Sequence, residues 1–126
     1  MIFEGHLDMI HGEEEKVSLE PYEVDHFDGG VPTVSYGKVV DFNLMLKNGG
    51  KGKMESLWLK PGEEQEIMPE GKENFLAVYV KEGKAEAEDC FVEEGRILVL
   101  KKWEKALVIK NPGTGEAKMG ICRAVL

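Results

Sequence analysis

Glycine and proline interrupt this chain at short intervals, and the stretches between them are short and apolar. Both residues suit turns and are costly inside helices and central strands. A chain punctuated this way has little room for long helices and reads as many strands joined by turns. The turns are expected at His11-Gly12, Asp28-Gly29-Gly30, Asn48-Gly49-Gly50, Lys60-Pro61-Gly62, Glu82-Gly83, Glu94-Gly95 and Asn111-Pro112-Gly113. The strands between them are predicted at Gly5–His11, Lys16–Leu19, Val39–Leu46, Lys53–Leu59, Phe75–Lys81, Lys84–Glu88, Ile97–Leu100, Ala106–Lys110 and Lys118–Val125. No stretch of helix length carries an apolar stripe at helical spacing, although a helical turn is compatible with Glu70–Asn74.

Side chains alternate between the two faces of a strand. In Phe75–Val80 both faces are mainly apolar, so this strand is expected to be covered on both sides. In Val39–Leu46, Phe42, Leu44 and Leu46 share one face, while Asp41, Asn43 and Met45 share the other. Asp41 and Asn43 are therefore either outward residues or polar groups in a ligand site. Many short antiparallel strands must close, stack or be covered, because open edges aggregate. A jelly-roll barrel does this, and at 126 residues one domain without a boundary is expected.

Composition narrows the function. A formal net charge of -8 disfavours nucleic acid and anionic membrane as partners. No apolar run approaches the roughly 20 residues of a spanning helix, and MIFEGHLDMIHGEEE lacks the pattern of a signal peptide. A cytoplasmic location is expected. Cys90 and Cys122 form neither a CxxC pair nor a zinc spacing, and read as reduced thiols.

The segment from Leu57 to Gly113 resembles the two motifs of a cupin barrel laid end to end, with Pro61-Gly62, Gly83, Gly95 and Asn111-Pro112-Gly113 at the turns. The places where metal cupins carry two His, a Glu and a third His hold Met68, Glu70, Phe75 or Leu76, and Ala106. That set does not suit a divalent metal, and no cofactor is expected. Upstream, FDGGVPTVSYGKVVDFNLML (residues 27–46) is similar to the signature of the HutD/Ves family within the cupins. Phe27-Asp28-Gly29 matches its FDG-type turn and Asp41-Phe42-Asn43-Leu44-Met45 its DFNLM-type strand. The resemblance implies an all-β cupin double-stranded β-helix that senses or binds a small metabolite. Relatives carry two cupin halves, and residues 1–19 resemble the tail of the first. The barrel surface which that half would cover, together with an edge of Gly5–His11 bearing Leu7, Met9 and Ile10, leads to the expectation of a homodimer.

Chemical candidates are few. His6, His11 and His26 read as surface or turn residues; His6 and His11, five apart, would point to opposite faces of one strand. Asp25, His26 and Asp28 flank the Gly29-Gly30 turn. A carboxylate beside an imidazole prepares acid–base chemistry, though Asp28 also fits an Asx turn. Ser18, Ser35, Ser56 and both cysteines lack a nucleophile setting. The run from Asn48 to Met54 is a lysine-bearing hairpin turn and not a phosphate loop. Trp58, Trp103 and Tyr79 read as core or cavity wall. The leading expectation is a metal-free binder of a small polar metabolite, with Asp41 and Asn43 in the lumen and His26 and Asp28 at its mouth. The alternatives are a metal-independent isomerase or lyase using His26 with Asp28, and an interaction module with a filled lumen.

Overall fold

The computed structural model describes residues 1–47 and 49–126. Thirteen strands are present among them and no helix. They are β1 (Ile2–Glu4), β2 (Leu7–His11), β3 (Glu15–Leu19), β4 (Thr33–Tyr36), β5 (Val40–Asp41), β6 (Lys51–Leu59), β7 (Glu64–Ile67), β8 (Phe75–Glu82), β9 (Lys84–Ala87), β10 (Cys90–Glu93), β11 (Ile97–Leu100), β12 (Leu107–Lys110) and β13 (Ala117–Val125). All the pairings are antiparallel. The chain divides into two compact units, Met1–Met45 and Leu46–Leu126. No helix of the described residues is long and apolar enough to cross a membrane.

The second unit consists of two four-stranded sheets, ordered β10-β9-β12-β7 and β11-β8-β13-β6. One cluster of buried apolar side chains draws on both, from Ile67, Ala85, Val92, Leu107 and Ile109 on one sheet to Leu59, Val78, Val80, Met119 and Ile121 on the other. The sheets therefore stack face to face as a sandwich. Trp103, from the segment between β11 and β12, belongs to the same cluster. The interior of the sandwich is thus filled by Leu, Ile, Val, Ala, Met and Trp side chains. β8 is a central strand between β11 and β13; Leu76, Val78 and Val80 on one face are buried, and on the other Ala77 is buried with Phe75 and Tyr79 half-buried, so both faces are covered. Asn111 is fully buried at the expected turn. Its Nδ2 donates to the Leu59 carbonyl (2.9 Å) and the Gly115 carbonyl (2.8 Å), and its Oδ1 accepts from the Gly113 amide (2.9 Å). Every polar atom of that side chain has a partner, which is what makes its burial tolerable.

The first unit contains a three-stranded sheet, β3-β2-β4, and a two-stranded one, β1-β5. Ile2, Met9 and Leu19 are its buried apolar cluster, with Leu7, Val17 and Val39 against them. The free edge expected on Gly5–His11 is not there: β2 is the middle strand, paired to β3 on one side and to β4 on the other. The long strand expected over Val39–Leu46 is also corrected. Only Val40 and Asp41 pair, with Glu4 and Ile2, because β1 offers three residues and the ladder ends with it. Gly5 and Gly37 approach backbone so closely that an added Cβ would lie 2.2 Å from the Lys38 and His6 carbonyl oxygens respectively, and both have positive φ.

One turn recurs. In Glu20–Glu23, Lys60–Glu63 and Glu70–Glu73 the last residue donates its amide to the first residue's carbonyl, while its carboxylate accepts the first residue's amide at 2.7–2.9 Å. At Glu70–Asn74 this turn stands where a helical turn was considered. The turn expected at Asn48-Gly49-Gly50 lies partly outside the described residues, since Asn48 is among the undescribed.

Candidate functional site

The four residues expected to form a ligand site lie in the first unit, and all four are exposed. Asn43 Nδ2 donates to Asp41 Oδ2 at 2.8 Å, so these two satisfy each other at the surface. Asp28 Oδ1 accepts the Gly30 amide (2.8 Å) and its carbonyl accepts the Val31 amide (3.0 Å), which is the Asx turn. Asp28 is thereby committed to the backbone, and the buried histidine–carboxylate pair of this unit is a different one.

That pair is His11 and Asp25. His11 shares the inward face of β2 with Leu7 and Met9, and its side chain is 3% exposed. Its Nε2 lies 2.6 Å from Asp25 Oδ2 and its Nδ1 lies 2.8 Å from Oγ1 of Thr33, the residue directly opposite on β4. Thr33 Oγ1 donates to the Val31 carbonyl (3.2 Å), which leaves its lone pairs toward the ring. Phe27 stacks on the imidazole with centroids 4.3 Å apart. His11 is thus a buried residue and not a surface one. The period-2 pattern Leu7, Met9, His11 is the signal that could have shown it. Both ring nitrogens are engaged, so the imidazole clasps the loop carrying Asp25 and Phe27 to the sheet. His6 differs: it is half exposed, between Glu20 (2.6 Å) and Asp8 (2.9 Å), and the bond to Glu20, followed by that to Asp8, raises its pKa from 6.5.

The second unit holds a cleft of about 380 Å³ where two edge strands of opposite sheets, β6 and β7, part. Leu57, Ile67, Met68 and Ile121 give it apolar walls. Glu55, Ser56, Gln65, Glu66, Glu70 and Arg123 supply polar groups. Arg123, near the end of β13, is only 5% exposed. Its Nε and Nη2 both lie 2.9 Å from Glu73 Oε1, its Nη1 lies 3.1 Å from Glu55 Oε1, and its Nη2 donates to the Met68 carbonyl. Glu70 Oε1 is 3.8 Å away, and Glu70 Oε2 accepts from Lys53 Nζ at 3.0 Å. The Trp103 ring lies 5.2 Å from the guanidinium carbon. Burial is the largest influence on this guanidinium and pulls its pKa down, but the bonds and charges of Glu73 and Glu55 outweigh it and the net direction is upward. Lys53, by hydrogen bond and charge, and then Arg123 by charge, hold Glu70 below the ordinary carboxylate value. Met68, Glu70, Ser56 and Trp103 are singled out from the sequence, but Arg123 is not, since it sits in an apolar strand with no motif around it.

Among the described residues, no group of three or more His, Cys, Asp or Glu is arranged to hold a metal ion. Of the cupin ligand places, Leu76 is buried in the apolar core and Ala106 has no donor. The Met68 carbonyl is taken by Arg123, and Glu70 is paired to Lys53. The donor set does not fit the metal of this fold. Cys90 is exposed and Cys122 buried, both as free thiols; burial pushes Cys122 up to about 11.

The HutD family model matches residues 1–118. The chain belongs to the HutD family. The fold of this HutD-family protein is similar to that of the cupin domain of Schizosaccharomyces pombe Cnp3, with a TM-score of 0.52 and 16% identity over 82% of this chain and 81% of that one. At that identity the likeness speaks for the fold alone, and the fold is the cupin jelly roll. No curated protein matches the HutD-family chain.

Proposed function

We propose that this chain is a binding protein that takes a small polar metabolite, without catalysis, in the cleft between the β6 and β7 edges. The observation that carries the reading is the composition of that cleft: four apolar residues and six polar ones line an open space of a size that a small molecule could occupy. Glu55 and Glu70 are paired to Arg123 and Lys53, and the donors of Arg123 are engaged, so Glu66 is the carboxylate that the cleft offers a ligand. The ligand therefore presents hydrogen-bond donors, as an amine, amino acid or polyol does. This moves the site from Asp41, Asn43, His26 and Asp28 to Gln65, Glu66 and Ser56. The acid–base alternative rests on His26 with Asp28, whose Oδ1 accepts the Gly30 amide; of the imidazoles that do meet carboxylates, His11 is buried with both nitrogens bonded, and the exposed His6 has both nitrogens bonded to Glu20 and Asp8.

Thermal melts with a panel of small amines, amino acids and polyols test this. A ligand at 100 times its Kd is expected to add about 2.7 kcal/mol of stability, and Gln65→Leu with Glu66→Leu should abolish the shift. A panel that leaves the wild type unmoved, or moves wild type and variant equally, overturns the reading.

Self-association also belongs to the proposal, through β11. It is an edge strand of its sheet, and Ile97 and Val99 are 50% and 42% exposed along it. Edges of this kind pair with a second chain unless protected. Light scattering is expected to give twice the chain mass, and Val99→Lys half of that. A wild-type monomer at tens of micromolar refutes it.

A further inference from the structure

The first two ligand places of the cupin motif hold Met68 and Glu70, which cannot complete a metal site here. Yet a cation stands beside them, on the main chain of the first and near the carboxylate of the second. The Arg123 guanidinium donates to the Met68 carbonyl and stands 3.8 Å from the Glu70 carboxylate, with Glu73 and Glu55 at 2.9 and 3.1 Å. We propose that Arg123 is the resident cation of this fold, a covalently attached guanidinium that neutralises the oxygen cluster at the former ligand places.

Three features support this. The shell is made of carboxylate and carbonyl oxygens, the donors a hard cation takes. The cluster carries three carboxylates against Arg123 and Lys53, so without the guanidinium it would hold a surplus of negative charge, with Glu73 largely buried and Glu55 and Glu70 partly exposed to solvent. The Glu70–Glu73 turn presents its two carboxylates to Arg123, because the Glu73 side chain that closes the turn at 2.9 Å also accepts from Nε. Arginine suits the place better than lysine. It is always charged, and its planar fork reaches several acceptors at once. The inference stands apart from the ligand reading, since no ligand enters its test.

The test is chemical rescue. Arg123→Ala should melt roughly 10 °C below wild type, as breaking a buried ion pair does in a chain of this size. Ethylguanidinium at tens of millimolar should restore at least half of the loss. Its neutral isostere ethylurea, and sodium chloride at equal ionic strength, should restore none. Should Arg123→Ala not fold, Arg123→Met is compared with Arg123→Met carrying Glu55→Gln and Glu73→Gln, and the triple variant should be the more stable. Rescue by ethylurea or salt equal to that by ethylguanidinium, an unchanged melting temperature, or a triple variant no better than the single one each overturns the proposal.

Discussion

Among the described residues, 46–126 hold fourteen buried apolar side chains in one cluster, whereas 1–45 bury five apolar side chains, of which Ile2, Met9 and Leu19 form a cluster. The smaller unit makes up the difference with polar and backbone devices. His11, Asp25 and Thr33 form a bonded row, Phe42 and Met1 exchange backbone hydrogen bonds at 2.9 and 3.2 Å, and two glycines allow backbone to touch backbone. Apolar burial is non-directional and tolerates repacking, while hydrogen bonds and close backbone contacts depend on geometry. The two units should therefore fail in different ways.

The largest effect is expected in the apolar unit. Ile109→Ala removes a fully buried side chain at the centre of the cluster and should cost about 4 kcal/mol in chemical denaturation. A cost under about 1 kcal/mol would show that the sandwich collapses around the gap, and would weaken the contrast. In the polar unit, Asp25→Ala leaves the buried His11 without its partner and should cost about 2 kcal/mol. Phe27→Leu, which keeps the bond and removes only the stacked ring, should cost less than half of that. If the order is reversed, ring stacking and not the bond holds the loop. Asn43→Ala, at an exposed position bonded to Asp41, should stay within about 0.5 kcal/mol of wild type. A larger loss would return Asn43 to the site.

The smallest effect is one of pH. The folded pKa of His6 is raised, so its contribution is complete below 6.5 and is lost as pH rises through the folded value. The difference in melting temperature between wild type and His6→Gln should therefore shrink as pH goes from 6 to alkaline, and a difference that grows contradicts the pairing with Glu20 and Asp8. Because His6 is exposed, this difference should also shrink with salt.

The apolar unit was far more legible in the sequence than the polar one. Strands β6, β8, β9, β11, β12 and β13 are all foreshadowed by apolar runs between turn residues, because in that unit burial alone dictates the pattern. Two strands there escaped for local reasons. β7 reads Glu-Gln-Glu-Ile, with one buried residue, and gives no alternation. β10 is joined to β9 by Glu88-Asp89, both with positive φ, so the hairpin turns without the Asn-Gly pair that marks such turns. In the first unit β4 is exposed at all four residues and has no periodicity to show. The Val39–Leu46 pattern had the right alternation for a strand, but whether it becomes one depends on a partner, and β1 is too short to supply it. The candidate site was least legible. Asp25 could have been assigned to its neighbour His26, and only the fold shows that it reaches His11 instead. Arg123 gains its meaning from Glu55 and Glu73, which stand 68 and 50 residues away.

Asn111 has a consequence for how fast the molecule comes apart. Its side chain joins the end of β6 to the turn before β13 across 52 residues of chain. Such a bond needs distant strands to pair first, β12 with β7 or β13 with β6, since those pairings bring the two stretches together. It therefore belongs to the late side of the folding barrier, and contacts made there act on the escape rate and not on the rate of assembly. A leucine at position 111 should refold at nearly the wild-type speed and unfold many times faster, so that the buried amide serves the protein chiefly as a latch on its lifetime.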